Sequence, residues 1–173
     1  VTDDASVGGD LAVTGALDVD GATTTDGITN AGNFVTDGGT IKLDGNYPTG
    51  TGNVALGDTA LDSVTTGNYN TAIGENSLTA NTEGGTNTGV GSRTLDENTT
   101  GSSNTAVGQG ALNANTTADN NTAVGQGSLA ANTTGASNVG IGATALDANT
   151  TASNNNALGF GALGANTTGT QNN

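Results

Sequence analysis

Cysteine, histidine, methionine and tryptophan are all missing from the 173 residues, and only Lys42 and Arg93 carry positive charge. Each absence removes a class of function. Without Cys there is no disulfide framework and no thiolate metal site. Without His there is no Ser-His-Asp triad and no imidazole-ligated zinc. Two cations against 16 acids, a net charge of -14, cannot neutralise a run of phosphates, so nucleic acid is excluded as a partner and an anionic membrane surface repels the chain. No run of ~18 apolar residues is present for membrane insertion, and no stretch has the basic start and apolar middle of a signal peptide. We expect no enzymatic activity, and we assign no catalytic, cofactor-binding or metal-ligating residue and no cofactor.

What is present is small and polar: Gly, Thr and Asn fill 87 of 173 positions, while Leu, Ile, Val and Phe make up 17%, below the ~20% under which a charged chain is expected to be disordered. Periodicity overrules that expectation. From Asn53 onward a 17-residue unit recurs seven times without an insertion. Gly57, Gly74, Gly91, Gly108, Gly125, Gly142 and Gly159 form one column, each preceded by Leu, Ile or Val. Leu61, Leu78, Leu95, Leu112, Leu129, Leu146 and Leu163 form a second. Asn opens every unit, and a second Asn recurs from Asn81 to Asn166, with Val64 in its place in the first copy.

Residues 1–46 keep a different rhythm. Gly9, Gly15, Gly21 and Gly27 are spaced by six, continued by Asn33, Gly39 and Gly45, with alternating apolar pairs such as Leu11 and Val13 between them. This reads as short strands joined by turns whose Gly or Asn tolerates positive φ. Residues 47–52, with Tyr47-Pro48-Thr49-Gly50, form a junction. The organisation is therefore a hexad β segment (1–46), a junction (47–52) and a repeat array (53–173). Because Asn172-Asn173 would open an eighth repeat and the chain starts at Val1, we expect it to be a piece of a longer protein, cut mid-array.

Seventeen residues are too few for the helical repeats or for a leucine-rich repeat, and they suit one coil of a parallel β-solenoid. Asn104-Thr105-Ala106-Val107-Gly108 reads as a strand ended by a glycine corner, whereas Gly110-Ala111-Leu112-Asn113-Ala114 fits either a second strand or one helical turn. Coils stacked ~4.8 Å apart would make a rod ~34 Å long, with Asn side chains laddered along its axis. Each coil offers only two large apolar side chains, too few to hold a thin monomer together. The strand also has two faces, Val107 on one and Ala106 on the other. We expect the large column to fill the coil and the column of Ala and Gly to pack against partner subunits, three copies around an axis.

The repeat Asn104-Thr105-Ala106-Val107-Gly108-Gln109-Gly110-Ala111-Leu112-Asn113-Ala114-Asn115-Thr116-Thr117-Ala118 resembles repeats of phage tail fibres, especially those of marine and cyanobacterial phages. More distantly it is similar to head repeats of trimeric autotransporter adhesins, which share the A-[IV]-G-x-x-[AS] core but have a shorter period. Val7-Gly8-Gly9-Asp10-Leu11-Ala12-Val13-Thr14-Gly15 and the residues through Gly21 resemble the β-rich shafts of such fibres. The resemblance implies an all-β, elongated, intertwined homotrimer outside the cell, a structural or adhesive shaft segment serving host attachment. Its partner would be a host-cell receptor or glycan, met by the full-length fibre. The alternatives are a bacterial trimeric adhesin head and a self-assembling extracellular filament.

Several further residue patterns bear on these roles. Asp18-Val19-Asp20-Gly21, with Asp26, Asp37 and Asp44 nearby, has part of a calcium loop but lacks its remaining ligands, so solvated acids are expected. Asn98, Asn115, Asn132, Asn149 and Asn166 each precede Thr-Thr, the N-glycosylation pattern; corner-forming Asn explains them, and glycans are expected only if the producing cell glycosylates its surface proteins. The column Thr82, Thr99, Thr116, Thr133, Thr150 and Thr167 raises an ice-binding reading, which a Thr-Thr pair beside Gly argues against. Phe34, Tyr47, Tyr69 and Phe160 are too scattered for a sugar-stacking platform, and Arg93 reads as a surface residue rather than a ligand clamp. The column Asp58, Glu75, Ser92, Gln109, Gln126, Ala143 and Phe160 is expected to face solvent.

Overall fold

A computed structural model describes residues 50–173. The hexad segment, residues 47–49 of the junction, and the readings placed on Asp18, Asp20, Asp26, Asp37, Asp44, Phe34 and Tyr47 lie outside the described residues.

The residue pattern Thr-Ala-Val, β-branched at alternate positions, sets the strands. They are β1 (Val54–Leu56), β2 (Thr71–Ile73), β3 (Thr88–Val90), β4 (Thr105–Val107), β5 (Thr122–Val124), β6 (Val139–Ile141) and β7 (Asn156–Leu158). They form one seven-stranded parallel sheet in sequence order. Register follows the repeat: Thr105 pairs with Thr122, Ala106 with Ala123 and Val107 with Val124. Because each strand pairs with the one 17 residues on, like residues stack on like, and the array is a β-solenoid with one short strand per coil.

Each strand ends at a glycine with φ between +119° and +139°, a region that disfavours any side chain. Gly125 has φ +131°, and a Cβ there would sit 2.5 Å from the backbone of Gly142 in the next coil. Stacked coils thus touch backbone to backbone at this corner from Gly57 to Gly142, while Gly159 in the last coil shares the positive φ without the contact.

The stretch after the corner is neither a second strand nor a helical turn but a run of turns. Two positions in each coil, such as Arg93 and Leu95 (φ 59° and 51°) or Gly110 and Leu112 (φ 67° and 52°), lie in the left-handed region and reverse the chain sharply. Neither regular element tolerates that alternation. A left-handed Leu costs ~1–2 kcal/mol, and full burial of its side chain returns ~1.5–3. Leu78, Leu95, Leu112, Leu129 and Leu146 are completely buried.

Leucine therefore enters the interior from the turn side, and this reverses the expected assignment of strand faces. Ala106 and Ala123 point inward and are fully buried, while Val107 (37%) and Val124 (36%) stand exposed on the outer face. The reason is volume. A Cβ placed on Gly140 would already lie 3.4 Å from Leu129 Cγ, so the inward strand position has room for a methyl group at most.

The same tightness couples neighbouring coils. Where Ser128 enters the interior, its Oγ donates to the carbonyl of Gly140 at 2.9 Å, and a Cβ on Gly140 would fall 2.6 Å from that oxygen. Gly89 meets Ser77 Oγ in the same way, at 2.5 Å. Gly140→Ala is accordingly expected to destabilise the fold by ~1–3 kcal/mol, and the added Ser128→Ala to recover most of that loss; a double-mutant cycle by urea unfolding measures the coupling.

Buried Asn residues complete the interior. Asn104 Oδ1 accepts the backbone N–H of Asn121 at 2.9 Å, and its Nδ2 donates to the carbonyl of Ala118 at 2.8 Å. The second column is a direct amide ladder: Asn98 Nδ2 donates to Asn81 Oδ1 and Asn115 Nδ2 to Asn98 Oδ1, each at 2.8 Å. The first column ties coils through the backbone, with a side-chain bond added where Asn104 Nδ2 reaches Asn87 Oδ1 at 3.2 Å, and the second through side chains alone. Both satisfy polar groups that the thin coil would otherwise bury unpaired.

Candidate functional site

Thr105 and Val107 project from the same side of β4, and their counterparts do so along the whole sheet. The outer face thus carries two parallel columns. One is Val54, Thr71, Thr88, Thr105, Thr122, Val139 and Asn156; the other is Leu56, Ile73, Val90, Val107, Val124, Ile141 and Leu158. Like residues recur every ~4.8 Å along the stack. Five members of the second column, Leu56 through Ile141 apart from Val90, are 36–45% exposed, and Leu158 at the last coil reaches 81%.

No charged residue lies on this face. The eight described acids, Asp58, Asp62, Glu75, Glu83, Asp96, Glu97, Asp119 and Asp147, and the described cation Arg93 all fall in the turns. In a chain of net charge -14 an uncharged, β-branched strip running the length of the solenoid is the main departure from a solvated surface.

The remaining singled-out residues are placed as follows. Asn98, Asn115, Asn132 and Asn149 are fully buried with their amides engaged in the ladder, so the folded coil offers no room for glycans on them; Asn166 is half-buried. Thr82, Thr99, Thr116 and Thr133 donate their hydroxyls to carbonyls of the next coil at 3.0–3.2 Å, which removes them as a free water-ordering array. Tyr69 and Phe160 are exposed at 64% and 86%, in different coils. Arg93 is exposed and its Nε sits 3.2 Å from Asp96 Oδ2. Among the described residues no group of three or more Asp or Glu side chains is placed to hold a metal ion, and no helix is long and apolar enough to cross a membrane.

No family model matches the chain, nor does any curated protein or solved structure. The functional reading therefore rests on the surface itself. Sequence reasoning found the two faces of the strand but assigned them the wrong way round. The signal that could have corrected it is that the inward column never exceeds Ala in size, while a Leu is spent in every coil on the opposite wall.

Proposed function

We propose that the chain is a shaft segment of an extracellular, trimeric, all-β fibre of the phage tail-fibre kind, a non-catalytic spacer in host attachment. The uncharged outer sheet face carries this reading. A strand of three residues makes a face ~10 Å wide. Three copies turning that face to a common axis would bury a narrow seam of Val, Ile, Leu and Thr methyls along the solenoid and leave the eight described acids outside. The partner face is therefore the Val107 column, not the Ala106 column. A periodic partner is also the natural complement, because only a second array with the same ~4.8 Å rise can engage all seven coils in register.

Sedimentation of the purified chain should report three copies. Val107→Lys combined with Val124→Lys should give single chains that keep their β circular-dichroism signal, since both side chains project outward. A compact single-chain particle at all concentrations for the unaltered protein would overturn the trimer. A bacterial adhesin head would instead show as binding of the isolated trimer to cells, and a self-assembling filament as long fibres in electron micrographs.

One observation favours a second reading. The Thr71, Thr88, Thr105 and Thr122 column runs beside the Ile and Val column on one face of the parallel sheet, a regular array suited to ordering water. If the chain is monomeric and shapes ice crystals, the outer face is an ice-binding surface rather than a seam.

A further inference from the structure

The two columns of the outer face differ in their directional symmetry. From the first coil to the last, the aliphatic column is Leu56, Ile73, Val90, Val107, Val124, Ile141 and Leu158, the same order of residue types in either direction. Turned end over end about coil four, a second copy would set its Leu158 against Leu56, its Ile141 against Ile73 and its Val107 against Val107. The aliphatic side chains are therefore matched equally whether copies run parallel or antiparallel. The other column has no such symmetry. It runs Val54, Thr71, Thr88, Thr105, Thr122, Val139 and Asn156, so the same inversion sets Asn156 against Val54 and Thr71 against Val139.

The polar groups of this second column have bonding capacity to spare. The hydroxyls of Thr71, Thr88, Thr105 and Thr122 form no hydrogen bond with another described residue, although all four residues are half-buried. Thr82 and Thr99, by contrast, donate theirs to carbonyls of the next coil at 3.1 and 3.0 Å. Asn156 is the one amide on the face and is exposed. Its Nδ2 donates to Asn173 Oδ1, which leaves a second amide hydrogen and its own Oδ1 without a described partner.

We infer that this column fixes the direction in which copies of the chain associate, with Asn156 and Val139 selecting the parallel arrangement over the antiparallel one. The inference rests on the outer face being the seam between copies. Around a three-fold axis equivalent residues lie at one level, so three Thr hydroxyls can each donate to one neighbour and accept from the other, and three Asn156 carboxamides can do the same. Val54 and Val139 then meet only their own kind. An antiparallel pair would instead bury the Asn156 amide against Val54 and the Thr71 hydroxyl against Val139, and a buried polar group without a partner is disfavoured. A single buried Asn specifies the register of coiled-coil helices for the same reason. Two-fold pairing is the commonest form of self-association, so a face whose aliphatic half suits it needs a feature that works against it.

The absence of cysteine makes direction readable by cross-linking. Ile73→Cys and Ile141→Cys are placed in separate full-length chains, one of them isotopically labelled. The two are refolded together and treated with a bismaleimide too short to span the ~19 Å between coils two and six. Both sites belong to the aliphatic column, so the polar column is untouched. Links should join position 73 to 73 and 141 to 141, with links from 73 to 141 at least ~10-fold rarer. Val139→Thr with Asn156→Val then makes the polar column symmetric, using residues that other coils already carry there. Both side chains project outward, so circular dichroism should not change. In this background links from 73 to 141 should become as frequent as links between like positions, and sedimentation should show pairs beside trimers. Links still confined to like positions in the symmetric variant would overturn the inference and leave the trimer standing, and mixed links in the parent chain would overturn it as well. Single chains at every concentration would remove the seam itself, and the inference with it.

Discussion

Leu112→Asp unfolds the central coils, whereas Gln109→Asp, three residues away, leaves them intact. Leu112 is completely buried and supplies its coil's one large apolar side chain in the interior, Val107 lying on the exposed face. Its loss alone costs ~2–5 kcal/mol by the measure of large-to-small core changes. The carboxylate adds the penalty of an unpaired buried charge, for the described cation Arg93 is exposed and already paired with Asp96. The total exceeds what a chain of nearest-neighbour coils can absorb locally, since each repeat is held only by the repeats on either side. Gln109 is exposed and an acid there matches Glu75 two coils earlier. Thermal unfolding followed by circular dichroism checks the pair; similar midpoints for the two variants would mean that the Leu column is not the core.

Gly125→Ala is expected to be nearly as damaging, for a different reason. The new methyl would stand 2.5 Å from Gly142 backbone atoms, and φ +131° is closed to residues with a side chain. Backbone strain of that kind costs ~1–3 kcal/mol, and relieving the contact means parting two coils along their ladder. The control is Gly159→Ala at the last coil, where φ is +127° but a Cβ meets nothing within 4 Å. It carries the strain without the collision. Urea unfolding should place Gly125→Ala well below Gly159→Ala, the difference measuring the contact between coils. Equal losses would show that strain alone makes the glycine column necessary.

The repeat unit, its strand and its glycine corner were all legible in the sequence, because a column identical in seven copies admits one stacking register. Thr105-Ala106-Val107 read as a strand and Gly108 as a corner, and both are so. The Asn ladders were legible as well, though not that Asn104 ties its side chain to the backbone of the next coil while Asn98 joins neighbouring coils through side chains alone. The turn run from Gly110 to Ala114 was not. A buried Leu at positive φ contradicts local preference, and only the contact with the Ala column across the interior compensates for it.

By itself, then, the sequence determined a 17-residue coil, a parallel stack of seven and an interior that must satisfy buried amides, since these follow from periodicity and from the hydrogen-bonding needs of each residue type. Which way the strand faces was decided only by the tertiary structure. Alternation along a strand separates two sets of side chains without saying which set is inside, and the choice falls to whichever wall contributes the larger residue. Here the turn contributes leucine, the strand must answer with alanine, and the valines are left outside to meet whatever covers the sheet.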